Sequence, residues 1–231
     1  MISKKVKALT FDTGGTILDW HTGFRNGFEK IKIKYNFSYN SADLANLMRR
    51  KSLEIVTNQK DRLVNFDYAH KIAVEEINNQ FSLGLHEEDL LVLSYDVPSK
   101  LKTWNDFIDS FNQLKEKFLC VSFTLLSNRL VFLNSKNNHI NWDLILSCET
   151  LETYKPNVEA YLKTAKLLQL HPSECGMVAC HSFDLNAAKK AGFKTYFIKR
   201  VDEWGKDTKI NVDGDYDLVV STFDELKDEL Y

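Results

Sequence analysis

The sequence predicts an α/β fold: a parallel sheet core flanked by helices, with a helical unit inserted after the first strand. Three observations predict it. Six short apolar runs recur along the chain, each followed by turn chemistry. Stretches with helical spacing separate most of them. One long segment, 19–102, has helical periodicity and no convincing strand. Strands and helices in alternation build a parallel sheet.

The first run, VKALTF at 6–11, ends on Asp12 and is followed by Gly14 and Gly15. In the insertion, Leu44, Leu47 and Met48 share a helical face, and Ala69, Ile72, Ala73, Glu76 and Ile77 follow a similar period. Pro98 disfavours helix at Val97 and marks a boundary there. The next strands are LCVSFTLLS at 119–127 and LILSC at 144–148. A helix over 158–170 places Tyr161, Ala165 and Leu168 near one face. After CGMVAC at 175–180, a helix over 184–193 groups Leu185, Ala188 and Ala191, with Gly192 as its C-cap candidate. KTYFI at 194–198 and DLVVS at 217–221 complete the sheet. The expected division is a core of 1–18 and 103–231, and a helical cap of 19–102.

At 231 residues and 44% hydrophobic content, the chain suits one large domain or a core with an inserted subdomain. The 30 Lys and Arg against 32 Asp and Glu give a net charge of −2, so no strong field draws in nucleic acid or an anionic membrane. The 4 cysteines, Cys120, Cys148, Cys175 and Cys180, lie in or beside apolar runs and show no metal-binding spacing, which reads as buried reduced thiols in a cytoplasmic protein. The apolar run near the N-terminus is too short for a signal peptide, and no segment approaches the roughly 18 apolar residues of a membrane helix.

In open parallel sheets, ligands bind beyond the carboxyl ends of the strands. The strand ends supply Asp12, then Ser127 and Asn128, then Lys155, then His181 and Asp184. Each has a structural reading as well. Asp12 fits a turn, Ser127 and Asn128 a helix cap, Lys155 a solvated loop and Asp184 an N-cap. Their joint order is far harder to obtain by chance.

That order resembles the haloacid dehalogenase superfamily over essentially the whole chain. The motifs stand as Asp12-Thr13-Gly14-Gly15-Thr16, Ser127-Asn128, Lys155-Pro156 and Asp184. The resemblance implies a Rossmann-like core with a helical cap inserted after the first motif. Phosphatases of the superfamily carry a second acid two residues after the nucleophile and an acidic pair in the last motif to hold Mg²⁺. Here the first position is Gly14, and CHSFD offers Asp184 alone.

The chain is more similar to the type II 2-haloacid dehalogenase branch, which needs neither feature, because a halide leaves without a proton. Tyr161 stands six residues after Lys155, as in that branch. RRKSLE resembles its arginine-bearing cap helix, with Arg49 at the matching position, and Phe183 holds the aromatic position before the last Asp. Departures are Gly14, where an aromatic residue is usual, and Ala179 and His181, where a serine and an asparagine are usual. His181 either orients or deprotonates water, or only hydrogen-bonds a loop.

The resemblance implies a metal-independent, cofactor-free hydrolase of small 2-haloalkanoic acids, commonly a homodimer. Asp12 would be the nucleophile, with Lys155 keeping it ionised and Thr16 and Ser127 orienting nucleophile and substrate. Arg49, Asn128, Phe183, Gly14 and Tyr161 would shape the substrate and halide site, and Asp184 with His181 would activate water. Two readings stay open beside it: a Mg²⁺-dependent phosphatase acting on a small phosphate ester, and a non-catalytic binding protein with the same fold.

Overall fold

A computed structural model describes residues 6–59, 63–206 and 208–231. Residues 1–5 and 207 of the expected core, and 60–62 of the expected cap, lie outside the described residues. The strands are β1 (Ala8–Phe11), β2 (Leu18–Asp19), β3 (Lys102–Thr103), β4 (Leu119–Thr124), β5 (Leu144–Ser147), β6 (Cys175–Ala179), β7 (Lys194–Ile198) and β8 (Leu218–Val220). The helices are α1 (Trp20–Tyr35), α2 (Ser41–Thr57), α3 (Phe66–Phe81), α4 (Glu87–Leu91), α5 (Ile108–Leu114), α6 (Asn128–Asn137), α7 (Cys148–Leu151), α8 (Val158–Leu167), α9 (Ser182–Lys190) and α10 (Phe223–Leu230).

Six strands form one parallel sheet in the order β5-β4-β1-β6-β7-β8. This is the Rossmann-like α/β architecture. Helices cover both faces, so the central strands read as continuous apolar runs. Leu9, Phe11, Val121, Phe123, Met177, Val178 and Phe197 are buried in it. Phe11, Phe107, Phe111, Trp142 and Phe223 form an aromatic cluster, with Phe107 and Phe223 centroids 4.9 Å apart at 68°. Such edge-to-face pairs add about 0.5–1.5 kcal/mol each beyond the burial of their area.

β2 and β3 form a separate two-residue antiparallel pair, Leu18 with Thr103 and Asp19 with Lys102. The sequence did not reveal it, because two residues carry no periodicity. It sits where the chain leaves the sheet and returns. Among the described residues between them, every element is helical.

α2 buries Leu44, Ala45, Met48, Arg49, Ser52 and Val56, and α3 buries Ala69, His70, Ala73, Val74 and Ile77. Glu76, grouped by period with that apolar face, instead points outward and pairs with Lys51 at 2.7 Å. The helix is also not broken at Val97. Val92–Asp96 is a wide π turn in which the Val97 N–H reaches the Val92 carbonyl, and a 3₁₀ turn then runs through Pro98. A proline near the start of a new turn sacrifices no bond the turn requires, so the break falls at Lys100.

His70 is 2% exposed, with its ring edge-on to Phe24 and Phe66. Burial, with Arg49 and Arg129 nearby, pushes its pKa down from 6.5 to about 3. The unfolded chain takes up this proton below about 6.5 and the folded chain only near 3, so stability falls as the pH drops through that window. By pH 5 the loss from this group is about 2 kcal/mol. Urea unfolding at pH 7 and pH 5 measures it: His70→Leu should lose less stability over that interval than the parent. Equal losses would show that His70 is not held neutral.

Candidate active site

β1 lies between β4 and β6, so the chain's crossovers part at its carboxyl end and leave a crevice there. The Asp12 N–H continues the ladder one residue past β1, donating to the Val178 carbonyl at 3.0 Å. This fixes the backbone from which the carboxylate projects.

Lys155 is 0% exposed and reaches Asp12 from the loop before α8. Its ammonium donates to Asp12 Oδ1 at 3.0 Å, Asp184 Oδ2 at 2.5 Å and the Phe123 carbonyl at 3.0 Å. Three donors meet three acceptors. Thr16 donates to Asp12 Oδ2 at 2.9 Å and accepts the Cys180 N–H at 3.0 Å. Asp184, in the first turn of α9, accepts the Tyr161 hydroxyl on Oδ1 at 2.5 Å. Both its oxygens are therefore occupied.

His181 Nδ1 lies 3.2 Å from Asp12 Oδ2, and its Nε2 lies 2.8 Å from Glu203 Oε1. The Trp20 indole N–H donates to the same Glu203 oxygen at 3.0 Å. Phe183 stacks on the imidazole at 5.4 Å. Gly15, at φ +96°, makes this packing feasible: a Cβ there would stand 2.2 Å from Glu203 Oε1. The glycine that follows the nucleophile thus admits a buried acid to the site.

The charges follow from these contacts. Burial opposes ionisation of Asp12, but Lys155 and then His181 outweigh it and hold the carboxyl well below its usual range. Burial likewise opposes the charge on Lys155, and Asp12 and Asp184 overcome it, raising the ammonium further. For His181 burial is outweighed by the Cys180 sulfur, Glu203 and Asp12, so the imidazole is raised well above its usual value. Burial raises Asp184; Lys155 opposes the rise and Asp12 adds to it.

Arg49 extends from α2 between the rings of Trp20 and Phe66, whose centroids lie 5.4 and 5.7 Å from the guanidinium carbon. Nη2 donates to the Gly14 carbonyl at 3.1 Å, and Nε has no partner among the described residues. Asp12, Gly14, Arg49, His181 and Phe183 line a small cavity of about 10 Å³ whose other walls are Leu53, Phe66 and Thr124 to Leu126. A larger groove along α1 and the Val92–Lys102 stretch contains none of the strand-tip residues.

The fold thus brings together Asp12, Thr16, Lys155, Asp184, Tyr161 and His181, with Gly14, Arg49 and Phe183 around the cavity. Ser127 and Asn128 do not line it. Ser127 caps α6 and donates to Asp67 at 2.5 Å, and the Asn128 side chain accepts from Thr150 at 2.7 Å. Sequence reasoning missed Glu203 and Trp20. One signal was available: Glu203 follows the carboxyl end of β7, inside the region where strand ends supply chemistry.

The residues do not fit a magnesium centre. That ion takes several oxygens and relies on carboxylate charge. Here Asp12 and Asp184 both direct an oxygen to the Lys155 ammonium standing between them, and Gly14 contributes no acid.

Residues 9–198 match the family model of haloacid dehalogenase-like hydrolases. The (S)-2-haloacid dehalogenase of Pseudomonas sp. (strain YL) is 25% identical over 202 residues, covering 84% of this chain and 83% of that protein. The fold superimposes on the L-2-haloacid dehalogenase PA0810 with a TM-score of 0.89 at 26% identity, over 97% of this chain and 98% of that one. The defluorinating L-2-haloacid dehalogenase Rha0230 gives the same TM-score and identity, over 97% and 95%. The family match runs from β1 to the end of β7 and takes in every strand tip that contributes to the Asp12 cluster, so this chain belongs to the haloacid dehalogenase-like hydrolases.

Proposed function

We propose that the protein hydrolyses small 2-haloalkanoic acids to 2-hydroxy acids through an ester on Asp12, without a metal or cofactor. The observation that carries this reading is the Asp12 carboxylate and the buried Arg49 guanidinium lining one small cavity, with Arg49 in no ion pair among the described residues. The names of the relatives support it. The helices between β2 and β3 act as the cap (19–102) on a core of 1–18 and 103–231, and exclude bulk water. A cytoplasmic homodimer is the assembly we assign.

Asp12 attacks the halogen-bearing carbon, forming the C–O bond as the carbon–halogen bond breaks and halide departs with its electron pair. Arg49 faces the growing negative charge. Thr16 and Lys155 hold the carboxylate in line. Ester formation removes the Asp12 charge, and His181 releases its proton to solvent. The neutral imidazole, backed by Glu203, takes a proton from the water that attacks the ester carbonyl, and the 2-hydroxy acid leaves. The tetrahedral intermediate collapses by expelling the product oxygen, which takes the proton of the newly added hydroxyl, and Asp12 is left ionised beside a protonated His181. Asp184 acts by fixing Lys155, and Tyr161 by fixing Asp184. Ser127 and Asn128 serve as supports that tie α6 to its neighbours.

Halide release from chloro-, bromo- and fluoroacetate and both 2-chloropropionate enantiomers, measured after exhaustive chelation, tests the reading. Turnover should persist. Loss of all activity on chelation, with Mg²⁺-stimulated phosphate release from a generic ester, would move the chain to the phosphatases. Activity on neither substrate class would make it a binding protein.

Arg49→Ala should lower turnover by about 10²–10³-fold, as removal of a charge-stabilising donor does, with little change in the far-ultraviolet circular dichroism. Lysine should rescue poorly, because it lacks the planar fork. Unchanged kcat in a folded Arg49→Ala variant would remove Arg49 from the chemistry.

A further inference from the structure

We propose that Cys180, His181 and Glu203 form a site for one thiophilic divalent cation of the zinc class, on the Nε2 side of His181. One ligand atom from each residue lies within 4.8 Å of the other two. Cys180 Sγ is 3.5 Å from His181 Nε2. A tetrahedral centre with Zn–S of about 2.3 Å and Zn–N of about 2.0 Å requires that same separation, roughly 3.5 Å. His181 Nε2 and Glu203 Oε1 are 2.8 Å apart and need to open by only about half an ångström.

The three ligands are already oriented from behind. The Cys180 backbone is fixed by its N–H bond to Thr16. Glu203 is held by the Trp20 indole. His181 Nδ1 faces the Asp12 carboxylate, the partner that fixes ring orientation and tautomer in carboxylate–histidine–zinc arrangements. A second cavity, of about 290 Å³, shares the His181 and Phe183 wall with the one over Asp12, opens onto Cys180, His181 and Glu203 and gives a path from solvent. It leaves room for water as the fourth ligand.

The ligand set selects the metal. One sulfur, one imidazole and one carboxylate suit Zn²⁺ or Co²⁺ and not Mg²⁺. Loading displaces the Cys180 thiol proton and the proton at His181 Nε2, and involves no redox change. The site shares His181 and Glu203 with the Asp12 cluster, and a cation there replaces the Nε2–Glu203 hydrogen bond that backs His181 in the hydrolysis proposed above, so the loaded form and the catalytic form exclude one another.

The test uses the full chain, freed of metal by chelation and titrated with Co²⁺. A thiolate-to-cobalt charge-transfer band should appear, saturate at one ion per chain and disappear on addition of Zn²⁺. Cys180→Ser should abolish the band, and Glu203→Gln should weaken Co²⁺ binding by about tenfold or more. Cys120→Ala, which alters a thiol buried in β4, should leave it unchanged. Circular dichroism and thermal melting show which variants fold. If Cys180→Ser does not fold, the Glu203→Gln titration decides. Absence of the band in the parent protein, a band that persists in folded Cys180→Ser, or unaltered affinity in Glu203→Gln would overturn the site.

Discussion

Asp12→Asn is expected to reduce haloacid turnover by about 10⁴-fold or more, to the background rate, with the fold retained. The amide preserves the shape of the side chain. Lys155 keeps two of its three acceptors, Asp184 and the Phe123 carbonyl, so the surroundings have no reason to collapse. What is lost is the anion that attacks carbon. The isotope pattern separates this role from simple base catalysis. In ¹⁸O-water, with enzyme in excess and one turnover allowed, the oxygen delivered to substrate comes from the Asp12 carboxylate. Product should therefore be mostly unlabelled, and the label should appear in the peptide that contains Asp12. Labelled product in the first turnover would sink the ester mechanism, even if halide release were confirmed.

The strands were legible because a parallel sheet covered on both faces writes each strand as an unbroken apolar run. Strand ends then pointed to Asp12, Lys155, His181 and Asp184, because the topology alone carries them to one edge. Thr16 and Tyr161 were found through motif spacing. The rest depended on partners distant in sequence. Ser127 stands at a strand end, but Asp67 in α3 accepts its hydroxyl, and nothing near Ser127 in the chain announces that partner. Glu203 reads as a solvated loop acid in VDEWGK, yet it is buried, because Trp20 and His181 enclose it from 183 and 22 residues away. Leu53 and Phe66 wall the cavity from helices whose apolar faces look like ordinary packing. The β2–β3 pair is too short for any period to betray it.

Lys155→Met should do the most damage to stability. It removes the ammonium that bridges two buried carboxylates, Asp12 and Asp184, each bonded to it directly. Breaking a buried pair by deleting one partner costs about 3–5 kcal/mol, because the remaining charge has no compensation. Two acids left facing each other place the variant toward the upper end of that range. Urea unfolding at pH 7 should show the deficit. The deficit should shrink on mild acidification, since protonating one acid removes the repulsion. The double variant Lys155→Met/Asp184→Asn should recover part of the stability, and its departure from additivity measures the coupling. Turnover should stay low in both variants, since Asp12 loses the partner that holds it ionised and in line. Full stability in Lys155→Met would contradict the buried triad. Turnover restored in the double variant would show that Lys155 serves only to neutralise Asp184, leaving Asp12 to be held by Thr16 and His181 alone.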